Sequence, residues 1–184
     1  MDEPSASSNP AATPGANGTP DPYMTATVAE FLDDLAARTP APGGGAAASV
    51  TCAMAAGLVE MAASFASAKG LEHVRERAHE LRKEVASLAH ADGRAYGVVL
   101  DALRMAPGEE RTTRLDTAVA GAIACPINIL RIAAEVATLA HLNVSLLSRH
   151  ASSDAHLERL RPELAKATRA RERAVDAYAR MERI

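Results

Sequence analysis

The feature that most constrains the fold is a stretch of small and apolar residues from Ala46 to Ala68. Its one charged residue is Glu60, and Ala, Ser, Thr and Gly supply most of the rest. A segment that is apolar on nearly every side is either a membrane span or a helix surrounded by protein. Because so many of its side chains are small, the stretch is only weakly hydrophobic. We therefore predict that it is the central helix of a soluble bundle.

The composition favours a single helical domain. The chain has 184 residues, enough for one domain with a substantial core. Aromatic residues make up 3% and there is no Trp, so the core must consist mainly of Ala, Leu, Val, Ile and Met. Ala has the highest helix propensity, and no segment alternates polar and apolar residues over the length of a strand. We predict an all-α fold, a bundle of about five to seven helices around the small-residue-rich helix.

The domain boundary is predicted near residue 24. Residues 1–24 are rich in Pro, Ala, Ser, Gly and Asn, which is typical of a disordered tail, and they lack the pattern of a signal peptide. Residues 25–184 form the helical domain. Thr25 or Thr27 can cap its first helix. Later breaks are expected at "APGEE", at Pro126, which either kinks a helix or opens the next one, and at the Ser-Ser-Asp that starts the last segment.

Charge, cysteine and histidine content argue against several classes of protein. The formal net charge of -3 gives no general attraction for nucleic acid. Cys52 and Cys125 lie far apart and match neither a disulfide framework nor a CxxC site, so we expect reduced thiols in the cytoplasm. The six histidines show no metal-binding spacing. We expect a soluble cytoplasmic protein with no metal, no nucleic-acid partner and no membrane association.

The Pro and Gly residues directly before the apolar stretch exceed what a plain helix connector needs. They read "PAPGGG" over residues 40–45. Main-chain N–H groups at a glycine-rich helix start bind anions, and the missing Cβ atoms let a flat ligand approach the backbone. The alternative is a tight turn between crossing helices. No Lys-Ser/Thr follows, so the segment is not a P-loop. We predict that it lines a ligand site through Pro42, Gly43, Gly44 and Gly45.

Four further residues are candidates for chemistry or binding. Asp92 lies among alanines on a helix and can act as a general acid/base if burial raises its pKa; the alternative is a surface ion pair with Arg94. Arg111 and Arg114 share one helix face and can hold a carboxylate or phosphate, or can be ordinary solvated charges. Asp154 can bind a ligand or cap the last helix.

The segment "FLDDLAARTPAPGGGAAASVTCAMAAGLVEMA" resembles the cyclodeaminase/cyclohydrolase family. This family includes the cyclodeaminase half of formiminotransferase-cyclodeaminase and bacterial methenyltetrahydrofolate cyclohydrolases. Its members have a Phe-Leu-Asp helix, then Pro-x-Pro-Gly-Gly-Gly, then a small-residue helix. An Asp followed four residues later by a Tyr, here Asp92 and Tyr96, and a Glu-Glu-Lys-x-x-Arg segment, here "EERTTR", extend the similarity from about residue 27 to 130.

The resemblance implies a helical homodimer that acts on tetrahydrofolate-bound one-carbon units. It implies no metal and no redox cofactor, since the tetrahydrofolate derivative is the substrate. It also implies a catalytic role for Asp92 and adds Tyr96 to the candidate substrate-binding residues. The reaction would be that of a lyase or hydrolase, a cyclisation or hydrolysis at a C–N bond.

The chain also departs from the family pattern. Ala46 replaces the Ser after the glycines, Gly108 replaces a Lys in a shortened loop, and Arg111 replaces the Lys of Glu-Glu-Lys. The last third fits the family in two ways: either a segment is missing before "LAHLNV", or Ser153-Asp154 matches an earlier Ser-Asp. Two other functions therefore stay open: a divergent member acting on a non-folate substrate in a biosynthetic pathway, and a non-catalytic helical binding protein.

Overall fold

The computed structural model describes residues 21–65, 71–148 and 154–181, and the described part of the chain is almost entirely helical. Its six helices are α1 Pro22–Thr25, α2 Val28–Ala36, α3 Gly44–Phe65, α4 Leu71–Arg104, α5 Glu109–Ser148 and α6 Asp154–Met181. No strand occurs in these three ranges. The predicted all-α class and a helix count between five and seven are confirmed for the described residues.

The first described residues belong to the segment that the composition assigned to the tail. Asp21 caps α1, and its Oδ1 accepts a hydrogen bond from the Tyr23 N–H at 2.9 Å. The Tyr23 ring stands edge-on to Phe31, with ring centroids 5.9 Å apart, and to His90, with centroids 6.2 Å apart. Ordered structure thus starts before residue 25, because Tyr23 has aromatic partners on α2 and α4. The rest of the predicted tail, residues 1–20, lies outside the described residues.

Helix α2 begins at a capping box. The Thr27 hydroxyl accepts from the Glu30 N–H at 3.2 Å, and the Glu30 carboxylate accepts from the Thr27 N–H at 2.8 Å. Thr27, rather than Thr25, is therefore the N-cap of this helix. Of the apolar side chains that α2 carries, Phe31 is buried, whereas Val28 and Leu32 are exposed.

The core forms where α3, α4 and α5 meet. On α4, apolar residues recur every three or four positions and face the other two helices. These buried residues are Leu71, Val74, Ala78, Leu81 and Val85 of α4, Cys52, Ala56, Val59 and Ala63 of α3, and Ile129, Ile132, Val136 and Leu139 of α5. The alanines on α3 and α4 allow the two helix axes to approach closely. Helix α6 packs against α5.

Ion pairs join these helices at the rim of the core. Glu60 of α3 lies 2.9 Å from both the Arg82 Nε and the His79 Nδ1 of α4. Burial opposes the ionised form, but hydrogen bonds from Arg82 and His79 hold the pKa of Glu60 below its ordinary value. Arg77 of α4 binds both carboxylate oxygens of Glu135 of α5, at 2.5 and 2.9 Å. The orientation of α4 is thus fixed relative to both neighbours.

The described part of the chain covers helix α3 on one face only. Its opposite face carries a row of large apolar side chains that are 51–85% exposed, Met54, Leu58, Met61 and Phe65. The sequence had predicted a helix surrounded by protein. Both α3 and the segment Glu109–Leu146 have the length and apolar content of membrane spans, a test that core helices of soluble proteins also pass. We call the four exposed residues the α3 stripe.

Pro126 lies inside α5, which continues on both sides of it. The sequence left open whether this proline kinks a helix or starts one, and the structure places it within a single continuous helix. Because proline has no N–H, position 126 cannot donate the usual helical hydrogen bond to the carbonyl of Ala122.

Candidate active site

The three glycines lie at the first turn of α3 and meet different surroundings. Gly43 precedes the helix, and its carbonyl accepts the first helical hydrogen bond, from the Ala47 N–H at 3.1 Å. A Cβ atom on Gly44 would have no neighbour within 4 Å. A Cβ atom on Gly45 would overlap the carboxylate of Asp92. The glycines therefore do not serve only as a tight turn between closely packed helices, since one side of the turn is open and the other side meets a carboxylate.

The Asp92 carboxylate of α4 caps α3. It accepts a hydrogen bond from the main-chain N–H of Ala46, one of the amides that the helix itself leaves unpaired. Burial raises the pKa of Asp92 above its ordinary value, and the hydrogen bond from Ala46 opposes that rise. In the described part of the chain, Asp92 forms no ion pair with Arg94. The group is thus a partly buried carboxyl with the kind of pKa shift that suits general acid/base work.

A cavity of about 490 Å³ opens directly beside this carboxylate. The loop before α3, the middle of α4 and the first half of α5 all contribute to its wall. The lining residues are Pro40, Gly43, Gly44, Asp92, Gly93, Tyr96, Val99, Val119, Ala122, Ile123 and Pro126. One charged group in an otherwise apolar wall, next to exposed main chain, is typical of a site for a small organic ligand.

Two grooves adjoin the cavity and lengthen it along α5. One, of about 770 Å³, shares Gly44 and Pro126 with the cavity and runs between α3 and α5 over a wall that is almost wholly apolar. The other, of about 830 Å³, shares Ala122 and runs between α4 and the start of α5. Together they form a trough that can hold a ligand longer than the cavity itself.

The structure brings together most of the residues that the sequence singled out. Asp92, Tyr96, Gly43 and Gly44 line one cavity; Gly45 lies under the Asp92 carboxylate, and Pro42 is buried next to them.

Three other candidates do not line this cavity. Arg114 lines the adjoining groove, where Glu109 and Glu110 flank it. Arg111 lines neither the cavity nor the two grooves. Asp154 is the first residue of α6, but its side chain lies outside the described residues.

The sequence did not identify the apolar wall that α5 contributes, or Gly93 on α4. Val119 and Ile123 follow an ordinary helical pattern, so their position in the site emerges only when α5 packs beside α4. Gly93 could have been noticed in the sequence, because glycine inside a helix costs about 1 kcal/mol of stability relative to alanine and usually has a packing reason. A Cβ atom there would lie 3.3 Å from the Tyr23 Oη.

The two cysteines are weak nucleophiles in this setting. Burial raises the pKa of Cys125, and the negative charge of Asp92 raises it further, while Arg94 acts in the opposite direction. Burial also raises the pKa of Cys52, which belongs to the core. Both thiols are therefore protonated at neutral pH. Within the described ranges, no cluster of three or more His, Cys, Asp or Glu side chains could hold a metal ion.

Comparison with known proteins extends over the helices that build this cavity. The family model described as Formiminotransferase-cyclodeaminase matches residues 27–166, which run from the cap of α2 into α6. The chain belongs to the formiminotransferase-cyclodeaminase family. The predicted family membership is thus confirmed. Helix α1 precedes the part of the chain that matches the family.

A bacterial relative of known name is similar to this chain. It is a methenyltetrahydrofolate cyclohydrolase from Methylorubrum extorquens. The two sequences are 29% identical over 142 residues, a region that covers 70% of this chain and 68% of the relative. The similarity thus spans more than two thirds of each protein.

Proposed function

We propose that the protein is an enzyme of one-carbon tetrahydrofolate metabolism that cyclises or hydrolyses a C–N bond. Membership of the formiminotransferase-cyclodeaminase family and the similarity to a cyclohydrolase support this proposal. The single observation that carries it is the Asp92 carboxyl, which has a raised pKa and lines a largely apolar cavity next to the main chain of Gly43 and Gly44. The tetrahydrofolate derivative is the substrate, and the reaction needs no further cofactor.

In the hydrolytic direction, Asp92 acts first as a base and then as an acid. Water adds to the cationic amidinium carbon, and Asp92 takes one proton from that water, which leaves a neutral tetrahedral centre. Asp92 then returns the proton to the departing nitrogen as the C–N bond breaks. The remaining hydroxyl proton goes to solvent as the carbonyl forms. A raised pKa strengthens Asp92 as a base, and general acid/base catalysis of this kind contributes about 10²–10⁴-fold.

The first turn of α3 holds the substrate in this scheme. The N–H groups of Gly44 and Gly45 have no acceptor within the helix, because the first helical hydrogen bond comes from Ala47. They are suited to receive a carbonyl or anionic oxygen at the positive end of the helix dipole. Tyr96 offers an aromatic face from α4 on the same cavity, where a flat heterocycle can stack.

A second candidate function is the same chemistry on a substrate other than a polyglutamylated folate. The groove next to the cavity combines Arg114 with Glu109 and Glu110, so a tail with several carboxylates gains little there. Ala46 also replaces the serine that usually follows the glycines. A purely non-catalytic role has less support, because Asp92 is not a freely solvated surface charge.

We further propose that the enzyme is a cytoplasmic homodimer. The α3 stripe is a continuous row of large apolar side chains on a helix that residues 21–65, 71–148 and 154–181 cover only on its other face. A second copy can cover it with the same surface, as two-fold symmetry requires. The small residues between the large ones allow two α3 helices to approach closely.

The test is a paired assay on wild type and the Asp92→Asn variant. Hydrolysis of methenyltetrahydrofolate and release of ammonia from formiminotetrahydrofolate are followed separately, which distinguishes hydrolase from lyase. A thermal-shift screen with monoglutamyl and polyglutamyl reduced folates runs beside it, since a ligand at 100 times its Kd adds about 2.7 kcal/mol. Turnover of either compound that Asp92→Asn abolishes supports the proposal. If no folate is turned over and none stabilises the protein, the proposal is contradicted and the non-folate alternative is favoured.

A further inference from the structure

Three parts of the chain meet at Gly93, the residue next to Asp92. A Cβ atom on Gly93 would lie 3.3 Å from the Tyr23 Oη and 3.8 Å from the Ala41 Cβ. Tyr23 comes from α1, and Ala41 comes from the loop that leads into the glycines. The Tyr23 Oη and the Ala41 Cβ thus lie on the same side of the α4 turn that carries Asp92, around the space that a Gly93 side chain would fill.

Tyr23 is held firmly at this point. Its ring contacts Phe31 of α2 and His90 of α4 edge-on, and Asp21 caps the short helix that carries it. His90 lies one helical turn before Gly93, so the aromatic ring lies along α4 and its hydroxyl reaches Gly93. The tyrosine therefore packs along α4 from His90 to Gly93, the residue next to Asp92.

We propose that Tyr23 is a positioning residue for Asp92: together with Ala41 of the glycine loop it packs against the Gly93 side of the α4 turn, holds that turn in place and limits the access of water to the carboxyl. The proposal rests on the proposed function of Asp92 as acid and base. It goes beyond the family, because the family match starts at residue 27 and Tyr23 lies before it. Tyr23, outside the part of the chain that matches the family, thus contributes to the surroundings of Asp92, which lies inside it.

Electrostatics agree with this closeness. Burial raises the pKa of Tyr23, and the charges of Asp21, Asp34 and Asp92 raise it further, so the phenol is close enough to respond to the Asp92 carboxylate. At neutral pH the phenol is uncharged and acts by excluding water. The titratable and charged groups around this turn are Tyr23 of α1 and its cap Asp21, Asp34 from α2, His90 and Arg94 from α4, and Cys125 from α5.

The experiment compares three variants of the full-length chain, Tyr23→Ala, Tyr23→Phe and Met24→Ala. Met24 is the matched control, since it is exposed and lies on the same short helix. The first readout needs no substrate: the Asp92 carboxyl carbon is titrated by NMR, with its signal assigned through Asp92→Asn. We expect the pKa of Asp92 to fall towards that of an exposed aspartate in Tyr23→Ala. It should stay at the wild-type value in Tyr23→Phe and Met24→Ala.

The second readout is turnover. A misplaced general base costs rate rather than ground-state binding, so Tyr23→Ala should lower kcat by about tenfold and change KM less than about twofold. Tyr23→Phe keeps the ring and should retain activity within about twofold of wild type. If no folate is turned over by the wild type, the proposed function fails, and the NMR titration still decides the role of Tyr23.

A double-mutant cycle keeps the proposal testable if Tyr23→Ala does not fold. Gly93→Ala adds a methyl group 3.3 Å from the Tyr23 hydroxyl and should push the α4 turn away, while Tyr23→Phe removes the oxygen that it meets. We expect Gly93→Ala to shift the pKa of Asp92 in the tyrosine background and much less in the phenylalanine background. An unchanged pKa of Asp92 in a folded Tyr23→Ala, or equal effects of Gly93→Ala in both backgrounds, overturns the proposal.

Discussion

The carboxylate of Asp92 occupies the space that a side chain on Gly45 would need. The conformation of the chain does not require glycine here, since no left-handed backbone angle occurs at this position. Glycine is required because α4 places a carboxylate against the main chain of α3. At the preceding residue, Gly44, the space that a side chain would fill is open and borders the cavity. Two adjacent glycines thus have different surroundings: Gly45 leaves room for the Asp92 carboxylate, and Gly44 borders the cavity.

The Gly45→Ala variant should lose both stability and activity. The new methyl group displaces the Asp92 carboxylate and breaks its hydrogen bond with the Ala46 N–H. Loss of a helix cap costs about 1 kcal/mol, and loss of a positioned acid/base costs about 100-fold or more in kcat. Urea denaturation and a turnover assay measure the two effects. A variant with wild-type kcat would show that the carboxylate can work from another position.

The Gly44→Val variant should separate binding from folding. Its side chain meets no protein atom within 4 Å, so the free energy of unfolding should change by less than about 0.5 kcal/mol. The same side chain projects beside the cavity and blocks approach of a ligand to the main chain. We expect loss of the folate-induced thermal shift in a protein with a normal melting temperature. Retained folate binding would place the ligand elsewhere.

Replacing Asp92 by Asn should keep the fold and the ligand but abolish turnover. The pKa of Asp92 is raised in the folded state, so its contribution to stability is present below the ordinary pKa of 3.8 and is lost as pH rises through the folded pKa. At pH 7 the side-chain carbonyl of the introduced asparagine can still accept the hydrogen bond from the Ala46 N–H, and the side chain carries no partly buried charge. Asp92→Asn should therefore be at least as stable as wild type at pH 7, with kcat lower by about 10²–10⁴-fold. Thermal unfolding at pH 7 and pH 3.5 tests the linkage, since the difference should shrink in acid.

Glu60→Gln should weaken the junction of α3 and α4. Hydrogen bonds from Arg82 and His79 lower the pKa of Glu60, so its contribution is present above the ordinary value of 4.5 and is lost as pH falls through the folded pKa. Because Arg82 is about half exposed, we expect a loss of only about 0.5–1 kcal/mol at pH 7 and none well below pH 4. The control is Arg104→Gln, which removes a fully exposed pair with Asp101 within α4 and should be neutral. Equal effects of the two variants would contradict a role for Glu60 between helices.

Disruption of the α3 stripe should separate the subunits. Leu58 is 61% exposed in the centre of that stripe, so Leu58→Lys places a charge inside the proposed dimer interface. Light scattering at micromolar concentration should show a dimer for wild type and a monomer for the variant. Val175→Lys on α6 is the control, since Val175 is exposed on a different helix. A monomeric wild type would refute the dimer.

The sequence predicted well those features that short-range chemistry decides. A helix cap at Thr25 or Thr27, the break at "APGEE" and the start of the small-residue helix each depend on a few neighbouring residues. Asp92 and the glycines could be paired because the family pattern contains both. Tyr23 was missed because it lies in a proline-rich segment and because its ring partner on α4, His90, is far along the chain. The uncovered side of α3 was also missed, since pattern alone does not reveal whether the same chain covers an apolar face.

Pro126 has a consequence for how this site can change over evolutionary time. The residue four positions before it, Ala122, lines the cavity, and its carbonyl receives no hydrogen bond from the proline. A main-chain acceptor next to the site thus depends on the proline and not on any polar side chain. Substitutions at Ala122 itself leave that oxygen in place. The side chains around the cavity can thus change while this main-chain oxygen stays in place, because it belongs to the backbone of α5.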